Sequence, residues 1–356
     1  MRKTFFTVGP TQLHPRLGEL MTEALREDIA SISHRGPEFQ SLFARTVDSL
    51  QQLFKLPANF HIFFLSSATE AMERIVENCV EKQSFHFVNG AFSKRFFTAA
   101  GELKKGAEKI EVRGGESFDF SGVEIPSDAE LVCLTQNETS TGVAIDTREI
   151  ELLKQRFPHA IFALDVVSSV PYVDVDYSLI DCAFFSVQKG FGLPAGLGVL
   201  FVNGRCIEKA RELQNKGISI GTYHSFLSLL KCAEKRETPE TPNILGIHLL
   251  SEIAKIYLDQ GIDTIRKDTD RKSERLYDFF DRHVSLKPFV KNKAWRSKTV
   301  VTIETPSGSG PILEACRSKG FVVGRGYGEF RDKHVRIGNF PTHSFEDVES
   351  LLHALE

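Results

Sequence analysis

Three apolar runs close together, Ile161 to Leu164, Ala183 to Val187 and Gly198 to Val202, constrain this chain more than any other feature. Each is short, continuous and free of helical periodicity, as buried strands of one sheet are. The first ends in Asp165 and the second in Gln188-Lys189, while the third follows a Gly/Pro-rich turn and meets nothing polar before Asn203. In open α/β sheets ligands gather outside the carboxyl ends of the strands, so an acid and an amine at one edge can face one small molecule. Gly190, Gly192 and Pro194 deny Lys189 a helix and hold it on a tight loop.

A lysine amine and an ionised carboxylate are what pyridoxal phosphate needs: the amine forms a Schiff base, and the acid keeps the pyridine nitrogen protonated so that the ring accepts electrons. Taken singly, an Asp that ends a strand more often caps or turns the chain, and a lysine is more often solvated.

At 356 residues the chain has room for one large domain and one smaller. Helical spacing of Phe39, Leu42, Phe43, Val47, Leu50, Leu53 and Phe54 follows an extended start. Strands are then expected at 61–65, 85–88 and 131–134, with helical stretches at 70–82, near 92–105 and at 148–157. This alternation predicts a largely parallel sheet with helices on both faces. The TPETP run breaks the chain near Pro242. We expect a large domain over 16–242 and a smaller α+β domain over 243–356, with residues 1–15 packing against the latter.

A net charge of −3, with Lys and Arg scattered, argues against a nucleic-acid footprint and for a small-molecule substrate. The six cysteines stand far apart, with no CxxC pair and no His cluster at metal-ligand spacing, which suits a reducing cytosol. The N-terminal apolar run is too short for a signal-peptide core and no stretch reaches membrane-span length, so the expected compartment is the cytoplasm.

The polar loops behind the strands carry further candidates. Ser67-Ala68-Thr69 stands between a strand and a helix, where free N–H groups and the helix dipole favour a phosphate, although a hydroxyl there is as often an N-cap. Phe92 is placed to stack on a flat ring, or simply to fill the core. Arg336 in HVRIG can clamp a carboxylate through two parallel hydrogen bonds, and His34-Arg35 form an isolated basic pair. GFGLPAG after Val187 is a poor dinucleotide fingerprint, because Pro194 and an apolar strand stand where a helix should begin, and no GxxxxGK[ST] occurs.

In order, FTVGPTQ, SHRGPEF, LSSATEAME, NGAFSKRF, QNETSTG, ALDVVSS, SVQKG, TPETP and HVRIG resemble the class V, fold-type I pyridoxal-phosphate aminotransferases over nearly the whole chain. Within that class the similarity is greatest to the phosphoserine aminotransferase family. The resemblance implies a mostly parallel, seven-stranded-type sheet between helices and a smaller C-terminal domain. It makes Lys189 the Schiff-base lysine and Asp165 the partner of the pyridine nitrogen, with Phe92 stacking on the ring. Ala68 and Thr69 supply phosphate-binding amides, Gln188 a phosphate contact and Thr139 a hydroxyl near the ring. Thr241 reaches the cofactor phosphate of a neighbouring subunit, which implies a homodimer with shared active sites. Arg336 holds the α-carboxylate, and His34-Arg35 help to bind a substrate phosphate.

The departures concern substrate. Thr69 stands where phosphoserine enzymes carry an arginine in GGGRGQ, and Glu240 puts a charge where they commonly have Asn. The SATEAME loop is closer to alanine–glyoxylate and serine–glyoxylate aminotransferases. Arg95, Arg325 and Arg331 are candidates for the missing cation. A cysteine desulfurase would need a reactive thiol on a mobile loop, whereas Cys316 lies in a helical pattern; a non-catalytic binding protein would have no use for both Asp165 and Lys189.

Overall fold

The computed structural model describes residues 3–356. β1 (Thr4–Phe6), α1 (Leu17–Arg26) and α2 (Pro37–Phe54) precede an alternating run. That run is β2 (Phe60–Leu65), α3 (Ala68–Cys79), β3 (Gln83–Val88), α4 (Ala91–Glu102), β4 (Gly106–Glu111) and β5 (Leu131–Thr135). A small hairpin, β6 (Asn137–Glu138) and β7 (Val143–Ala144), leads to α5 (Thr147–Arg156), β8 (Ile161–Asp165), β9 (Cys182–Ser186), β10 (Gly198–Asn203) and α6 (Gly204–Asn215). The chain continues through α7 (Phe226–Ala233), α8 (Ile244–Gln260) and α9 (Ile262–Arg282). It ends in β11 (Lys287–Pro288), β12 (Val300–Glu304), α10 (Gly310–Ser318), β13 (Phe321–Arg325), β14 (His334–Gly338) and α11 (Phe345–Leu355).

The large sheet has seven strands in the order β2-β10-β9-β8-β5-β3-β4. All neighbours are parallel except β10, which runs antiparallel to both β2 and β9. Its central strands are apolar without interruption because both faces are buried. Phe162 and Leu164 of β8 pack on one side with α2 and α8, whereas Ile161 and Ala163 pack on the other with α3 and α6. The reversal of β10 brings its first residue, Gly198, to the edge where β2, β8 and β9 end.

The second sheet has the order β1-β13-β14-β12-β11, with β1 parallel to β13 and the rest antiparallel. Its core joins Phe6, Leu276, Phe280, Val301, Ile337 and Leu351. The expected break at Pro242 precedes α8, yet Ile247, Leu250 and Ile253 of α8 are buried in the same cluster as the large sheet. α9 runs from Ile265 in the large core to Phe280 in the small one. Several elements went unread in the sequence, the small hairpin β6–β7 and the short β11 among them. α1 sits within the expected extended start; β4, α6 and α7 fall in stretches left unassigned, β4 and α6 because charged side chains interrupt their patterns.

Candidate active site

The strand ends deliver the two candidate groups to one place. Asp165 closes β8, and its Oδ1 accepts the Val167 N–H at 2.9 Å. Lys189 lies in the loop between β9 and β10; its Nζ donates to Thr139 Oγ1 at 2.9 Å and stands 5.1 Å from the centre of the Phe92 ring. Both are buried. Burial raises the Asp165 carboxyl to about 7, against the pull of the Val167 N–H and of Lys189. Burial likewise lowers the Lys189 amine to about 8, against Asp165 and with help from the Arg336 charge. Each group is thus pushed toward neutrality until a further charged partner arrives.

Phe92 owes its position to Glu138. This wholly buried carboxylate accepts the N–H groups of Phe92 and Ser93 at 3.1 and 2.9 Å and the Ser140 hydroxyl at 2.6 Å, so it anchors the first turn of α4. Arg336, on β14, donates from Nη1 to the Thr139 carbonyl at 3.0 Å and from Nε to the Arg325 carbonyl at 2.8 Å. Its Nη2 donates to none of the described residues.

On the opposite wall Ser67 is the N-cap of α3, accepting the Glu70 N–H at 3.1 Å. The first-turn N–H groups of Ala68 and Thr69 have no intrahelical acceptor; that of Ala68 is taken by Ser186 Oγ at 2.9 Å. Gly198 lets this turn settle on the sheet edge, since a Cβ there would stand 2.6 Å from the Ser67 backbone. Lys189, Asp165, Ala68, Thr69, Phe92, Thr139, Gln188 and Arg336 all line one cavity of about 230 Å³.

Tyr327 was not read from the sequence, because nothing periodic marks its loop. It lines the same cavity, packs 5.4 Å from Phe92 and lies under the Arg336 guanidinium. Gly9 was also missed: at φ +140° it brings the N-terminal segment so close that a Cβ would stand 2.7 Å from Lys189 Cε.

His34, Arg35 and Thr241 come together outside this cavity. Thr241 Oγ1 lies 3.4 Å from His34 Nδ1, and Arg35 donates to Glu237 at 2.7 Å and to the Pro239 carbonyl at 3.1 Å. None of the three candidate replacement cations lines the cavity. Arg95 pairs with Glu102 and Glu73, Arg325 pairs with Asp332, and Arg331 is exposed. The Glu240 carboxylate is not left facing a phosphate: it meets His224 Nε2 at 2.8 Å. Cys316 is buried in α10, and burial pushes its thiol up to about 11, the opposite of a reactive nucleophile.

The residues fit pyridoxal phosphate on their own chemistry. Phe92 offers a face to a flat ring, Asp165 a second oxygen that none of the described residues occupies, and Gln188 a buried Oε1 without a partner. Thr69 adds a free helix-terminal N–H for an anion, and Lys189 an amine within the same walls.

The class-V aminotransferase family model matches residues 4–315, and the chain belongs to that family of fold-type I enzymes, whose cofactor is pyridoxal phosphate. The protein is similar throughout to the phosphoserine aminotransferase of Cytophaga hutchinsonii, whose crystal structure superposes with a TM-score of 0.97 at 43% identity, covering 99% of this chain and 98% of that one. A phosphoserine aminotransferase of Rhodococcus opacus is 25% identical over 99% of this chain and 94% of its own. The fold is shared with an alanine–glyoxylate aminotransferase of Nostoc sp., at 24% identity and a TM-score of 0.86, covering 100% and 95% of the two chains.

Proposed function

We propose that the protein transfers the amino group of phosphoserine to 2-oxoglutarate, as a cytoplasmic homodimer whose active sites are shared between subunits. The observation that carries the substrate reading is the 43% identity, over 99% of the chain, to a protein named for phosphoserine. No helix among the described residues is long and apolar enough to cross a membrane.

When bound, pyridoxal phosphate supplies an electron sink conjugated to the substrate Cα. The chain supplies the rest. Asp165, ionised, holds the proton on the pyridine nitrogen that keeps the sink effective. Arg336 binds the substrate α-carboxylate through its uncommitted Nη2 and thereby orients Cα. Lys189 Nζ, which burial brings down to about 8 so that part of it is neutral near pH 7, would take the Cα proton and hand it on within the site. Phe92 and Tyr327 keep water from the ring.

The cavity walls contain no cation besides Lys189 and Arg336. A second copy that presents His34, Arg35 and Thr241 at the cavity mouth supplies the charge for a substrate phosphate, and the Arg35 side chain is exposed enough to be presented. The pairing of Arg35 with Glu237 favours the runner-up reading, in which alanine or serine reacts with glyoxylate.

A donor screen against both acceptors decides between them. Phosphoserine with 2-oxoglutarate is expected to give the highest kcat/KM. Arg35→Ala should lower that value by roughly 10- to 100-fold, the equivalent of one charged hydrogen bond, and leave alanine nearly unaffected. If alanine or serine with glyoxylate is faster and Arg35→Ala slows every donor alike, the runner-up stands. Lys189→Ala should abolish turnover with all donors and leave the protein colourless; normal turnover in that variant would overturn the aminotransferase reading.

A further inference from the structure

Behind the turn that carries Ala68 and Thr69 lies a buried histidine with a carboxylate at each nitrogen. His224 stands between α6 and α7; its Nδ1 meets Glu70 of the first turn of α3, and its Nε2 meets Glu240 Oε2 at 2.8 Å. A neutral imidazole has one N–H and one lone pair, so it cannot donate to two ionised acids; the doubly protonated ring donates to both, and its hydrogen bond holds Glu70 well below the usual carboxylate range. Burial alone would lower its basicity, but the two carboxylates reverse that and raise it to about 9. They are the charged groups that face the ring, and Tyr223 packs against it at 4.0 Å.

What His224 joins matters for the site. Glu70 also accepts the Ser66 N–H at 2.8 Å and the Ser66 hydroxyl at 2.6 Å, so it braces the strand-to-helix turn from below. Glu240 belongs to the segment from Glu237 to Thr241, which holds Arg35 and touches His34. The Thr238 hydroxyl donates to the Glu240 carbonyl at 2.7 Å and stiffens that segment.

We propose that His224, as an imidazolium, is a positioning residue for the cofactor: it locks the first turn of α3 to the Glu237–Thr241 segment and neutralises the acids behind an anion-binding turn. This rests on the reading that the cofactor phosphate sits at the N-terminus of α3. Without the imidazolium, Glu70 loses a buried partner and Glu240 becomes a free anion, which loosens the turn and makes its surroundings more negative.

The test uses cofactor-free protein titrated with pyridoxamine phosphate, which makes no covalent bond to Lys189, together with amide exchange over 66–70 and 237–241. His224→Gln, which can still donate one hydrogen bond, should weaken binding about tenfold, and His224→Ala more than that. Both should speed exchange in the two segments together. Wild-type affinity should carry an alkaline loss as pH rises through about 9 that His224→Gln lacks. If His224→Ala fails to fold, the His224→Gln comparison decides alone. Wild-type affinity, pH course and exchange in His224→Gln would overturn the proposal. If the wild-type protein itself does not bind pyridoxamine phosphate, the cofactor reading fails, and the proposal falls with it.

Discussion

Asp165 is expensive to bury as an anion, and the cofactor-free protein bears that cost. Its folded pKa of about 7 lies above the ordinary 3.8. The unfolded chain therefore releases its proton first, and this group lowers the stability of the cofactor-free fold progressively as pH rises from about 4 to about 7, with the full cost above that. Asp165→Asn keeps an acceptor for the Val167 N–H and removes the charge. It should raise the melting temperature of the cofactor-free protein above pH 7, lower kcat by about 100-fold or more, and change KM little. Melting curves and steady-state rates check both halves, and an unchanged kcat would make Asp165 merely structural. The meeting of Asp165 and Lys189 in one cavity was legible in the sequence because the first ends β8 and the second stands in the loop just after β9, where position in the chain fixes position in space. Tyr327 and Glu138 were not legible as site residues. One reaches the cavity from an irregular loop, and the other acts by fixing Phe92, a relation that exists only after folding.

At the level of elements, the edge of the large sheet works because one strand is reversed. Running β10 antiparallel puts a glycine, not a side chain, beneath the turn into α3. Gly198→Ala should leave the fold intact, displace that turn, and weaken pyridoxamine phosphate binding about tenfold or more, as the loss of one charge-assisted hydrogen bond would; unaltered affinity would show that the turn can yield. At the other end of β10, buried Asp181 accepts from Lys154 Nζ at 2.6 Å, from the Phe162 N–H at 2.9 Å and from Asn203 Nδ2 at 3.0 Å. Asp181→Ala strands the Lys154 charge and should cost about 3–5 kcal/mol, measurable by denaturant titration. The strands of the large sheet were readable because burial on both faces makes their sequences continuously apolar. α6 was not, since only Cys206, Ile207, Ala210 and Leu213 are buried among charged neighbours. α8 follows the proline break, but its apolar face would match either domain, and in the fold it packs chiefly on α2.

Across the whole molecule, the site is closed by the far ends of the chain. Phe6 of β1 is buried against His343, the Thr11 N–H donates to the Gln188 carbonyl at 3.1 Å, and the His14 N–H donates to Gly192 at 2.8 Å. Phe6→Ala should cost about 3–5 kcal/mol. Removing residues 3–10 should uncover the β13 edge and abolish retention of the cofactor through gel filtration; a truncated protein that stays yellow would show that Gly9 does not shape the Lys189 pocket. The pairing of β1 with β13 also has a consequence for synthesis. Residues 4–6 leave the ribosome more than three hundred residues ahead of their partners at 321–323. Until then the segment that walls in Lys189 has no sheet to join, so a nascent chain can complete the large domain while its pocket stays open on the N-terminal side. Firm cofactor retention is thereby expected only once residues 321–323 have been made and have joined β1.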